Sequence, residues 1–177
     1  MVALVGASFA FAANEMSPRG LKLQRNYFPS GIAAATNAAT ITSPPRVANS
    51  ERDAVALRLK SKGLVCIGRD EVERLLGDPQ VIFIDARAEE KFEAGHLAGA
   101  YELDAYHPER NLGTVLPLCQ AATKVVVYCA GGECEDADAV AILLRDAGVA
   151  GDHLAVYGGG MDDWSSQHKP VEKGEHP

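Results

Sequence analysis

KVVVYCAGGEC, residues 124–134, runs a continuous β-branched and aromatic segment straight into a cysteine, two glycines and a second cysteine. Lys124 to Tyr128 has the composition of a strand covered on both faces, with no polar alternation for a solvent side. Asp136 to Ala147 then places Ala137, Val140, Ala141 and Leu144 on one side of a helix that stops at Gly148. Strand, glycine turn and helix in that order are the repeating unit of an α/β fold with a mostly parallel sheet.

The same alternation extends outward in both directions. Residues 64–67 form a short apolar run, and 70–76 a helix through Val72, Leu75 and Leu76, stopped by Gly77. Residues 81–84 (VIFI) form a second strong strand, followed by a charged helix over 88–94 and an extended piece near 100–103. A helix is expected between 111 and 122, and residues 154–157 (LAVY) supply the last strand. The expected architecture is a single α/β domain, a mostly parallel central sheet flanked by helices on both faces. In such sheets ligands bind beyond the carboxyl ends of the strands. Those ends are Asp85-Ala86-Arg87, the loop from Cys129 to Cys134, and Gly158-Gly159-Gly160.

The 177 residues suffice for one domain with additional segments. Hydrophobic residues make up 47% and charged residues 23%, the balance of a globular chain with an adequate core. The net charge of −7, without a basic run interleaved with aromatics, argues against nucleic acid as a partner. Residues 1–20 contain an apolar run, 2–13 (VALVGASFAFAA), too short for a span of about 20 residues. Ala10-Phe11-Ala12 matches a small-residue cleavage site, but no basic residues precede the run. The expectation leans to membrane association or export (a periplasmic location), the alternative being an untargeted apolar N-terminus and a cytoplasmic protein. Residues 21–62 read as a linker, rich in Ala, Thr, Asn, Ser and Pro, ending in a short helix over 51–62 anchored by Val55, Leu57 and Leu59. The folded domain is expected over 63–170, with 171–177 as a tail.

Four cysteines, at 66, 119, 129 and 134, are too few for a disulfide scaffold. Cys66 and Cys119 sit among apolar neighbours and read as buried small hydrophobes. Cys129 stands elsewhere: the glycines after it let successive N–H groups curl inward, and a helix N-terminus follows. Both effects favour the thiolate, the helix by at most about 2 kcal/mol. Glu133, Glu135, Asp136 and Asp138 oppose it, and side-chain directions decide the balance.

These segments together resemble a rhodanese domain over residues 63–169. The strand with Asp85-Ala86-Arg87, then Gly95-His96-Leu97-Ala98-Gly99-Ala100, is similar to that family's D-x-R and G-H-I-x-G-A signature. Val125 to Cys129 is similar to the strand leading to its catalytic cysteine, and Gly158 to Trp164 to its closing G-G-x-x-x-W. The resemblance implies sulfur transfer, with Cys129 carrying sulfane sulfur as a persulfide and the backbone N–H groups of Ala130, Gly131, Gly132, Glu133 and Cys134 cradling it. It implies a small-molecule sulfur donor, a thiol acceptor and no cofactor. The family's active loop commonly has a basic residue at its sixth position, where this chain has Cys134. Its absence weakens the case for thiosulfate, and also for the related phosphatases, whose phosphate needs an arginine fork.

Cys134 adds a second thiol that can pair with Cys129 or resolve a persulfide on it, in a C-x-G-G-x-C loop that resembles a variant within the family. Three readings stay open: a sulfurtransferase, a dithiol redox protein using both cysteines, and an idle module that binds a protein partner. A metal on the pair is not expected, since C-x2-C spacing and further ligands are absent. Asp85 and Arg87 read as structural, with Arg87 paired to an acid such as Glu93. His96 is expected to hydrogen-bond backbone, Trp164 to pack in the core, and the glycine triplet to form a tight turn rather than a phosphate loop.

Overall fold

A computed structural model describes residues 46–174, of which 46–49 are defined by their backbone alone. Helix α1 (Arg46–Ser61) leads into β1 (Val65–Ile67), α2 (Arg69–Leu75), β2 (Val81–Asp85), α3 (Glu89–Ala94) and β3 (Tyr101–Glu102). A 3-10 turn (Pro108–Arg110), α4 (Leu112–Ala121), β4 (Lys124–Tyr128), α5 (Asp136–Asp146), β5 (Leu154–Tyr157) and α6 (Gly160–Ser166) complete the order. The strands lie β1-β5-β4-β2-β3, and every pairing among them is parallel.

The two sides of β4 show why the run reads as it does. Val125 and Val127 face a core shared with α1, α4 and α5, where Leu59, Val115, Val140 and Leu144 are buried. Val126 and Tyr128 face the opposite core, made by Val72 of α2, Phe92 of α3 and Trp164 of α6. Alternate residues of one strand thus serve two hydrophobic layers, which leaves no position for a polar side chain. Asp85, Tyr128 and Tyr157 stand in register on β2, β4 and β5. The three strands therefore end level, and the residues after them share one edge of the sheet.

The N-terminal boundary departs from the expected one. The helix expected over 51–62 is α1, begins at Arg46, and belongs to the packed domain. Val55 and Leu59, one turn apart, are 8% and 0% exposed. Leu57 is no anchor: two residues from each, it points to the other side of the helix and is 69% exposed. The C-terminal residues are also tied in. Glu172 forms an antiparallel bridge with His96, and the Gly174 N–H donates to the Glu93 carbonyl at 2.9 Å. The apolar run over 2–13 lies outside the described residues. Among the described residues no helix is long and apolar enough to cross a membrane.

Candidate active site

Cys129 follows the last residue of β4, and two glycines shape the loop after it. Gly131 has φ 115° and Gly132 φ 61°, backbone that side-chain-bearing residues rarely adopt. The loop is braced from behind by the glycines after β5. Met161 N–H donates to the Cys129 carbonyl at 3.0 Å, Asp162 N–H to that of Ala130 at 2.9 Å, and Gly132 N–H to that of Gly158 at 3.3 Å. The triplet is therefore more than a tight turn: it opens α6 and lets two loops touch backbone to backbone.

The Cys129 thiol is 2% exposed and donates to the Cys134 carbonyl at 3.5 Å. Burial, and then the neighbouring Cys134 thiol, push its pKa up to about 12, against the pull of the Ala137 and Gly131 N–H groups. Desolvation thus outweighs the helix N-terminus and the nest, and the resting sulfur is a thiol. The expected cradle is corrected in part. Gly132 N–H is spent on Gly158, and Cys134 N–H on the Gly131 carbonyl at 3.1 Å. The groups turned to the sulfur are Gly131, within the loop, and Ala137, in the first turn of α5. Glu133 is exposed and Ala130 half-buried. Cys134 is a free thiol that donates to Asp136 Oδ2 at 3.4 Å.

Asp85 is fully buried beside this loop and takes Arg87 as its partner, with Nη2 at 2.6 Å from Oδ2 and Nε at 2.9 Å from Oδ1. Arg87 Nη2 also donates to the Gly95 carbonyl at 2.7 Å. Glu93 is not its partner, because a carboxylate buried at a strand end requires the nearest cation to compensate its lost hydration. His96 bonds backbone as expected, Nδ1 lying 2.9 Å from the Phe92 carbonyl. Trp164 is buried and donates from Nε1 to the Pro170 carbonyl at 2.9 Å. Cys119 is buried and its thiol pushed up to about 12 by burial. Cys66 is only partly buried, because β1 is an edge strand. It lines a cleft of about 790 Å³ with Arg52, Arg69, Tyr157 and Asp163. That cleft touches Gly131 and Gly132 but has no wall from Cys129.

Sequence reasoning missed the contribution of α1. Arg58 donates from Nε to Asp138 Oδ2 at 3.0 Å, from Nη1 to the Gly132 carbonyl at 3.1 Å, and from Nη2 to the Cys134 carbonyl at 3.1 Å. Lys62 reaches Glu135 at 2.7 Å and Asp138 at 2.8 Å, and holds the Glu135 carboxyl below its ordinary range. Two of the four acids that weigh against a thiolate in the sequence are thus matched by cations. The available signal was Asp138, an acid bordering the apolar stripe of α5, but its partners lie 76 and 80 residues away.

The raised thiols carry a prediction for stability. Folded Cys129 and Cys119 keep protons up to about 12, whereas an ordinary thiol releases its own near 9. Their contribution is complete below about pH 9 and lost as pH rises toward about 12, since the unfolded chain then sheds protons the folded one retains. The urea midpoint is expected to fall over that window, and less steeply in Cys119→Ala. A midpoint that stays flat there in the parent protein contradicts the buried-thiol assignment.

Comparison with known proteins agrees with this geometry. The rhodanese-like domain family matches residues 68–167. A tRNA uridine(34) hydroxylase of Escherichia coli O1:K1 / APEC is 39% identical over 72 residues, 39% of this chain and 21% of that protein. The chain thus spans about a fifth of the length of the curated relatives it matches. Among solved structures, a Bacillus halodurans protein superposes with a TM-score of 0.55 at 20% identity, over 68% of this chain and 85% of its own. A thiosulfate sulfurtransferase from Pseudomonas aeruginosa gives 0.53 at 19% identity, over 71% of this chain and 23% of its own. At these identities the two structures speak for the fold.

Proposed function

This chain belongs to the rhodanese-like domain family, and from that premise we propose that it is a sulfurtransferase that carries sulfane sulfur as a persulfide on Cys129. The observation that carries the reading is the placement of the Cys129 sulfur at the end of a central strand, with the Gly131 and Ala137 N–H groups turned onto it. A persulfide anion formed there meets donors already aimed at it. In the loading step the Cys129 sulfur attacks the outer sulfur of a donor R–S–SH. The donor S–S bond breaks, R–SH leaves with the proton, and Cys129–S–SH remains. In the second step an acceptor thiolate takes the outer sulfur and returns the cysteine. No oxidant is consumed in either.

The nearby cations favour a persulfide over dianionic thiosulfate as donor. Residues 129–135 include no basic side chain. Arg58 and Lys62 are engaged by Asp138 and Glu135, and Arg87 by Asp85. A neutral or singly charged donor asks for no further cation. The net charge of −7 favours such small sulfur compounds over nucleic acid as partners. The hydroxylase activity named for the Escherichia coli relatives belongs to much longer proteins, of which the match covers 21%.

A second reading rests on Cys134, whose thiol adjoins that of Cys129. As a dithiol the pair would attack a partner disulfide, release two thiols and keep the Cys129–Cys134 bond. The deciding experiment is the intact mass of the reduced protein after treatment with a small alkyl persulfide. Gain of one sulfur atom supports the carrier, and loss of two hydrogens supports the dithiol. An unchanged mass with any donor leaves a binding module.

A further inference from the structure

The active loop contains no cation of its own, yet a guanidinium grips it from a helix outside the residues that match the family. Arg58 lies ahead of that match at 68–167. Its three nitrogens engage two loop carbonyls and both oxygens of Asp138, a carboxylate only 1% exposed. The Cys134 carbonyl is the informative one. It receives Arg58 Nη2 at 3.1 Å and the Cys129 thiol at 3.5 Å.

A carbonyl suits a thiol, which donates to it, and repels a thiolate, which cannot. Because C=O and N–H of a trans peptide point in opposite directions, the N–H of Glu135 is turned away from the sulfur for as long as that carbonyl faces it. Arg58 holds this peptide plane in place, and the rigid planar fork is suited to fixing several acceptors at once.

We propose that Arg58 is a positioning residue that latches the active loop over Cys129, keeping the Cys134 carbonyl against the thiol until α1 releases it. The inference rests on Cys129 as the reactive residue, though its test needs no sulfur donor. The groups facing Cys129 are the Cys134 thiol and the N–H groups of Gly131 and Ala137, with Arg87 beyond Asp85. Around the latch stand Lys62, Glu135 and Asp138. Release of the loop lets water reach the sulfur and removes the largest cause of its protonation.

The experiment follows alkylation of Cys129 by iodoacetamide across pH in Arg58→Ala and Arg58→Lys, by mass spectrometry of the Cys129 peptide. Amide exchange at Gly132 and Cys134 is measured alongside. Arg58→Ala is expected to speed alkylation by about tenfold or more near pH 8, move the midpoint down by at least about one unit, and quicken both amides. Arg58→Lys keeps the charge beside Asp138 but loses the fork, and is expected to fall between. Val72→Ala, a truncation in the core on the other side of the sheet, is expected to lower the melting temperature and leave the midpoint unmoved. The proposal is overturned if folded Arg58→Ala keeps the parent midpoint, or if Val72→Ala moves it as far. Should Arg58→Ala fail to fold, a parent midpoint in Arg58→Lys overturns it equally. Absence of persulfide on the parent protein would count against the carrier reading alone.

Discussion

Cys129→Ser is expected to gain no sulfur from a persulfide donor under conditions in which the parent chain gains one atom per molecule. The hydroxyl is smaller than the thiol but, like it, is a donor that can face the Cys134 carbonyl, which lies 3.5 Å from the parent sulfur. The fold and the loop are thus expected to persist, and the change removes only the proposed nucleophile. An alcohol does not form the persulfide, so loading should fall by several orders of magnitude, the usual cost of deleting a covalent nucleophile. Intact mass spectrometry reads the result directly. Sulfur retained on the serine variant would move the carrier to another cysteine, with half-exposed Cys66 and Cys134 the two to replace next.

Gly131→Ala is expected to be the most destabilising small substitution in the loop. A Cβ at this position would fall onto the Gly159 carbonyl oxygen and lie 2.7 Å from its carbon, and the backbone already has φ 115°. The obstacle is backbone, not the end of a flexible side chain. Strain and overpacking each cost about 1–3 kcal/mol, so a loss of about 3 kcal/mol or more is expected from urea denaturation. Gly132→Ala is the built-in comparison. Its φ of 61° lies in the left-handed region, but nothing stands within 4 Å of its added Cβ. Its cost should stay near about 1 kcal/mol. Equal losses at the two positions would mean that the loop does not press against the glycines after β5.

Much of the architecture was legible because it is written in local pattern. Residues 81–84 and 124–128 announce strands buried on both faces, and 136–147 a helix with one apolar side. From that alternation follow the parallel sheet and the edge that holds the candidate site, with Cys129 at a strand end. Three separated motifs in the right order made the family legible as well. The pairing β5-β4-β2 then set Gly158, Cys129 and Ala86 side by side, an order that no single segment states.

The remainder depended on tertiary placement. Composition made the residues before Gly63 look like a linker and a weak helix, and only the packed fold buries Val55 and Leu59 and brings Arg58 to the loop. The sequence offered Glu93 as one acid for Arg87, whereas burial of Asp85 at the strand end decided the pair. The nest and the helix N-terminus favoured a thiolate at Cys129 and the nearby acids opposed it, a balance that enclosure of the sulfur settled for the thiol. The sequence by itself determined the strands, the helices and the glycines that a turning backbone requires, because periodicity and φ preferences act over a few residues. Only the tertiary structure decided protonation and partners: hydration is lost, and ions meet, through chain segments as far apart as Arg58 and Asp138.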